Sequence, residues 1–175
     1  MYTIEKFTPE QTVQAQDDLV ELLQNAVHNG ASVGFVCPLP REVARQYWHD
    51  VIKDVRQGSR LLLVLRIDGR VAGSVQLDLC TRPNGTHRAE VQKLFVLTSA
   101  RRQGFGRALM AAIEQEARNA RRSLLYLDTE TQKPAETMYR RLGWLLVGEI
   151  PDYASSPDGH LRGTTIFYKK IMEAE

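Results

Sequence analysis

Little in this chain of 175 residues points to covalent or metal cross-links. Its two cysteines, Cys37 and Cys80, stand far apart without a Cys-x-x-Cys spacing, which argues for free thiols and against a disulfide scaffold or a thiolate zinc site. The four histidines, His28, His49, His87 and His160, never fall at metal-ligand spacing, so no metal is expected. No apolar run approaches the about 20 residues that cross a bilayer. The opening MYTIEKFTPE also lacks a signal peptide's charged start and apolar centre, so a cytoplasmic protein with no membrane partner is expected. One-sided charge is missing too. The 23 Lys and Arg against 21 Asp and Glu leave a formal charge of +2, and no aromatics cluster among the arginines, so no nucleic-acid partner is expected. No internal repeat or low-complexity linker divides the chain.

What is present reads as a single domain over 1–175, long enough for one real core. Thr8-Pro9-Glu10-Gln11 offers an N-cap, a proline at the first helical position and a reciprocal Gln, and helical spacing then runs over 9–28. GASVGFVCPLP, residues 30–40, is punctuated by glycine and proline yet apolar, as suits a loop that covers something. A second amphipathic helix is predicted over 40–55. RLLLVLRI and RVAGSVQLDL flank Asp68-Gly69, a strong hairpin signal. EVQKLFVL, 90–97, is a third strand, followed by a helix over 104–120, the strand LLYLDTE and the short helix PAETMYRRLG. WLLVGEI and TTIFYKKI, joined by YASSPDGHLRG, close the chain as two strands. The order β-α-α-β-β-β-α-β-α-β-β predicts an α/β fold with a mixed, mostly antiparallel twisted sheet flanked by helices.

Between the third strand and its helix lies Ser-Ala-Arg-Arg-Gln-Gly-Phe-Gly-Arg, residues 99–107. A helix N-terminus exposes unpaired N–H groups and partial positive charge, and glycine lets that backbone approach a phosphate. On spacing alone the loop is either such a cradle or a plain turn. Two better-known phosphate loops fail: Gly106 precedes Arg107-Ala108 where a Walker loop needs Lys then Ser or Thr, and Leu109 stands where a dinucleotide fingerprint needs a small residue.

The pattern Arg101-x-x-Gly104-x-Gly106, with a strand before and a long helix after, resembles the acetyl-coenzyme A motif of the GCN5-related N-acetyltransferases (GNAT). Ala135-x-x-x-Tyr139-x-x-Leu142-Gly143-Trp144 resembles that family's later motif, in the right order and spacing. Within the family, GASVGF, RPNGTHRAEVQKL, LLYLDTE and PDGHL look most similar to the tabtoxin-resistance acetyltransferases, which acetylate a β-lactam amino-acid toxin. The resemblance implies the acyl-CoA N-acyltransferase fold, with acetyl-CoA as cosubstrate and a pantetheine arm between two splayed parallel strands. Carried over, the arm pairs with the backbone of Leu94, Phe95 and Val96. The pyrophosphate lies on Arg101, Arg102, Gln103, Gly104, Phe105, Gly106, Arg107 and Ala108. Gln132 stands where many members have an Asn that holds the arm.

Acetyl transfer to an amine needs a neutral nucleophile, a polarised carbonyl and a proton for the departing thiolate. Tyr139 resembles the family tyrosine that acts as general acid beside the sulfur. Glu90 at the start of one strand and Asp128 at the end of its neighbour both interrupt apolar runs, and together they suit an acceptor ammonium that must lose a proton. Glu130, two residues on, is a rival base. The expected acceptor is a small-molecule amine, such as a β-lactam amino-acid toxin or antibiotic, handled by a monomer or homodimer. A peptide or protein amine stays open as acceptor, as does a catalytically silent acyl-CoA-binding module.

Overall fold

The computed structural model describes residues 1–171. Strand β1 (Tyr2–Lys6) leads into the capping box at Thr8, whose hydroxyl accepts from the Gln11 amide at 3.2 Å while the Gln11 side-chain oxygen accepts from the Thr8 amide at 2.8 Å. The single helix expected over 9–28 is broken into α1 (Pro9–Gln14) and α2 (Gln16–His28) at Ala15. Thr12 contributes to the break, because its hydroxyl donates back to the Thr8 carbonyl at 2.8 Å, a bond that bends helices. Helix α3 (Arg41–Gln57) ends at Gly58 in the left-handed region. Strands β2 (Arg60–Ile67) and β3 (Arg70–Leu79) form the expected hairpin, with positive φ at both Asp68 and Gly69.

There follow β4 (Arg88–Val96), α4 (Phe105–Asn119), β5 (Leu124–Glu130), α5 (Pro134–Arg141), β6 (Leu145–Ser155) and β7 (Leu161–Lys170). The seven strands make one sheet in the order β1-β2-β3-β4-β5-β7-β6, antiparallel at every pairing except β4 with β5. The mixed, mostly antiparallel sheet is therefore as predicted. Side-chain alternation along β2 feeds two cores. Leu62 and Val64 pack with α2 and α3 on one face, and Leu63 and Leu65 pack with α4 on the other.

One departure from regularity positions everything that follows. β4 and β5 pair only through Arg88↔Leu124, Ala89↔Leu125 and Glu90↔Tyr126. Beyond that point β5 stays with β7 as far as Glu130↔Thr164, while β4 stays with β3 as far as Val96↔Gly73. The two parallel strands thus part, leaving a wedge-shaped gap with one unpaired edge on each side. Behind it, the buried Glu114 carboxylate of α4 accepts from Lys169 at 2.7 and 2.9 Å and from the Trp144 indole at 3.1 Å, and Lys169 also donates to the Leu142 carbonyl at 2.7 Å. These bonds fix the C-terminal end of α5 against α4 and β7.

Candidate active site

The quoted loop turns through two left-handed residues, Arg102 at φ 63 and Gly104 at φ 83, before α4 begins at Phe105. The Ala108 amide already donates to the Gly104 carbonyl at 3.1 Å as the first bond of the helix. Ala108 therefore drops out of the expected cradle, and the amides without a bonded partner run from Arg102 to Arg107. Arg102, Gln103 and Arg107 are exposed around them, and Arg101 is turned back, its Nε donating to the Val96 carbonyl at 3.3 Å. Phe105 is pinned by an edge contact to Tyr2, ring centroids 5.2 Å apart. Guanidinium groups, a helix N-terminus and free backbone amides together fit a pyrophosphate.

Strand alternation sorts the other backbone contacts expected of the cofactor. A Cβ on Gly73 of β3 would lie 2.7 Å from the Phe95 carbonyl oxygen, and the Leu97 amide donates to the Ala72 carbonyl at 2.8 Å, so Phe95 and Leu97 address β3. Leu94 and Val96, one residue out of phase, address the gap. Phe95 is therefore corrected from a backbone contact of the cofactor to a core residue, its ring buried with α2 and α3. Past Glu90 this edge of β4 has no neighbouring strand, and although the Val96 carbonyl is taken by Arg101, such an open edge is what an extended, amide-bearing arm completes.

Glu90 and Asp128 meet at the fork. Glu90 is the last β4 residue paired to β5, inside the strand and not at its start, and Asp128 lies two residues past the fork on β5, which continues to Glu130. Burial raises the Glu90 carboxyl above its ordinary range, the Asp128 and Asp78 charges raise it further, and the Tyr126 hydroxyl beside it pulls the other way. Asp128 accepts from the Thr164 hydroxyl at 2.7 Å. Tyr139 on α5 is 7% exposed and packed against Trp144 and Phe167. Burial, with Asp128 adding to it, pushes its phenol up to about 12. All three sequence-predicted catalytic residues thus stand around the gap, with Asp128 electrostatically linked to both others. The rival Glu130 is engaged elsewhere: it is buried, accepts from Ser156 at 2.6 Å and pairs with Lys133 at 3.1 Å. It ties the end of β5 to the β6–β7 turn.

The loop over 30–40 closes one side. Its Cys37 amide donates to the Pro157 carbonyl of the β6–β7 turn at 3.0 Å, and its Val33 carbonyl accepts from Lys93 Nζ at 2.7 Å. Between the start of this loop at Gly30, the end of β5 and Pro157 lies an open cavity of about 310 Å³, with Gln132 and Lys133 on its wall. Gln132 is exposed at φ 64, and its amide donates to Glu136 at 2.7 Å, capping α5. Two neighbours of the fork were not singled out from sequence, Tyr126 and Lys93. Lys93 is a charge inside the apolar run VQKLFVL, and that interruption was a usable signal.

Residues 24–144 match the model of the acetyltransferase (GNAT) family. An uncharacterized N-acetyltransferase from the hisH-hisA intergenic region of Azospirillum brasilense is 37% identical over 134 residues, which is 75% of this chain and 78% of that protein. Among solved structures, the ribosomal-protein-alanine N-acetyltransferase of Brucella melitensis superposes with a TM-score of 0.79 at 21% identity, covering 97% of this chain and 99% of that one. The yncA protein of Salmonella typhimurium, solved with its cofactor acetyl-CoA, gives 0.79 at 17% identity, covering 100% and 96%. At those identities the two structures speak to the fold alone.

Proposed function

This chain belongs to the GNAT acetyltransferase family and is an acetyl-CoA-dependent N-acetyltransferase; from that premise we propose that it acetylates the amine of a small molecule, with a β-lactam amino-acid toxin or antibiotic as the acceptor class. The observation that carries the reading is the fork. β4 and β5 separate at Glu90↔Tyr126, the amide cradle lies beyond the end of β4, and a carboxylate pair and a phenol stand around the gap. The covering loop, tied to the β6–β7 turn through Cys37 and Pro157, narrows the acceptor side, which suits a small molecule better than a folded protein surface.

Acetyl-CoA supplies an acetyl group activated as a thioester. In its ionised form Glu90 takes the proton of the acceptor ammonium, directly or through a water, and Asp128 adds to the negative field that draws the cation in. The freed amine forms the new C–N bond as the C–S bond breaks, the proton that the nitrogen sheds on becoming an amide passes to the departing thiolate, and Tyr139 donates a hydrogen bond to that sulfur. Complete transfer of the Tyr139 proton is uphill. A phenol at about 12 lies above an ordinary thiol near 8.5 by a gap worth roughly 5 kcal/mol, so Tyr139 acts chiefly as a fixed donor. The protein is to be incubated with acetyl-CoA and a panel of amino acids, β-lactam amino acids and aminoglycosides, following thiol release. Saturable release with an amino-acid-sized amine is the expected result. Release with peptide or protein amines alone would overturn the small-molecule reading.

A further inference from the structure

The acceptor side holds a half-buried cation that the transfer chemistry does not use. Lys93 lies in β4 where two residues, Lys93 and Leu94, face only Val75 of β3, between the pairs Gln92↔Gln76 and Phe95↔Ser74. Its backbone is left-handed, φ 56, a conformation unfavourable for a long side chain and one that persists only where its surroundings hold it. An ammonium has three N–H donors. The Val33 carbonyl takes one, and among the described residues no carboxylate comes within ion-pair distance of Lys93. Burial, aided by the Arg60 charge, holds the Lys93 ammonium below its ordinary range, while Asp128 and Glu90 lie within electrostatic reach and favour its charge. Arg60 itself is committed, to Asp54 and Asp78 at 3.1 Å each and to Gln76 at 2.7 Å. Among the described residues Lys93 is thus a cation beside the fork that makes no ion pair.

We infer that Lys93 receives an anionic group of the acceptor, so that the substrate is a compact zwitterion: an amine bound toward Glu90 and Asp128 and a carboxylate, or an equivalent anion, bound toward Lys93. The inference rests on the small-molecule reading above and narrows it. Two carboxylates alone would favour any cation, polyamines included. A cation beside them penalises acceptors that carry a second positive charge and rewards those that bring a negative one. A partly buried ammonium without a counter-ion is a costly arrangement that an incoming carboxylate relieves by charge-assisted hydrogen bonds. The contact with Val33 also places the covering loop against the same side chain, so binding of the anion and seating of the loop involve one group.

The test compares each amino-acid acceptor with its methyl ester and its decarboxylated amine, in wild type and in Lys93→Met. Wild type is expected to prefer the carboxylate-bearing form by about 10- to 100-fold in kcat/KM, the range of a charged hydrogen bond. In Lys93→Met that preference collapses toward one, while acetyl-CoA affinity, measured separately by titration, is unchanged. Lys93→Arg, which keeps the charge, retains a preference for the acid. A wild type that acetylates amines but favours the esters would overturn the inference and leave acetyl transfer standing. An equal loss on acids and esters in Lys93→Met would also overturn it, since a loop tether alone does that. Thiol release with no small amine at all would instead sink the reading on which it rests.

Discussion

Replacing each loop glycine in turn separates what the backbone conformation contributes to cofactor binding from what close approach contributes. Gly104 sits at φ 83, ψ 0, with nothing within 4 Å of where a Cβ would stand. Gly104→Ala therefore meets no clash, and its whole cost is the left-handed conformation, about 1–2 kcal/mol for an L side chain. The loop around it is exposed, so the free variant relaxes locally, and the ligand must re-impose the original φ. At about 1.4 kcal/mol per tenfold, the dissociation constant for acetyl-CoA should rise roughly 5- to 30-fold with little change in Tm. Gly106 is different: it lies inside α4, where its Cβ would meet only the Met138 sulfur, at 3.4 Å. Gly106→Ala should raise Tm slightly, because alanine is favoured over glycine in a helix by up to about 1 kcal/mol. It should still weaken acetyl-CoA binding, because the proposed cradle needs the bare backbone close to the phosphate. Isothermal titration and thermal melts read both quantities. If both variants bind within about twofold of wild type, the loop is a plain turn and the phosphate assignment is wrong.

Four other outcomes follow from the same geometry. Tyr139→Phe should keep acetyl-CoA affinity within about twofold and lower kcat about 100-fold, typical for loss of a positioned donor; an unchanged kcat removes Tyr139 from the chemistry. Glu90 is held above the ordinary carboxylate range by burial and by Asp128, so activity should fall on acidification as Glu90 protonates, at a pH above that range. Asp128→Asn removes a negative neighbour and should shift this acid limb downward, and an upward shift in the pH–kcat/KM profile would contradict the coupling. A carboxylate whose folded pKa is raised loses stability as pH rises through its window, so Glu90→Gln should melt no lower than wild type at pH 7 while losing turnover. Glu114→Ala strands Lys169 without its buried partner and should cost about 3–5 kcal/mol in urea unfolding. A loss under about 1 kcal/mol would show that this pair does not hold α5.

What could be read from the sequence was local. The capping box at Thr8, the Asp68-Gly69 hairpin and the helix-opening loop at Gly104 depend on neighbours a few residues apart, and each stands where its pattern put it. The kink at Ala15 depends on a Thr12 hydroxyl that chooses the Thr8 carbonyl, a local choice that periodicity does not register. The fork was legible only through family resemblance, because it arises when β7, some 35 residues on, pairs with β5 beyond the point where β4 leaves it. Glu130 and Asp128 share a strand and a carboxylate, yet Glu130 accepts from Ser156, 26 positions away, and Asp128 from Thr164, 36 positions away, partners that no local pattern names. The phase that turns Phe95 toward β3 and Val96 toward the gap is set after the Lys93 bulge, and no period-two pattern reveals a bulge.

The most direct test of the account is a paired measurement of thiol released and acetylated acceptor formed, by mass spectrometry, for wild type and Glu90→Gln with the best amine of the panel. The account predicts one acetyl group on the acceptor nitrogen per thiol released in wild type. In Glu90→Gln it predicts a rate at least about 100-fold lower, most depressed at low pH, with unchanged acetyl-CoA affinity. Full-rate transfer by Glu90→Gln, or thiol release with no acetylated amine, would contradict it.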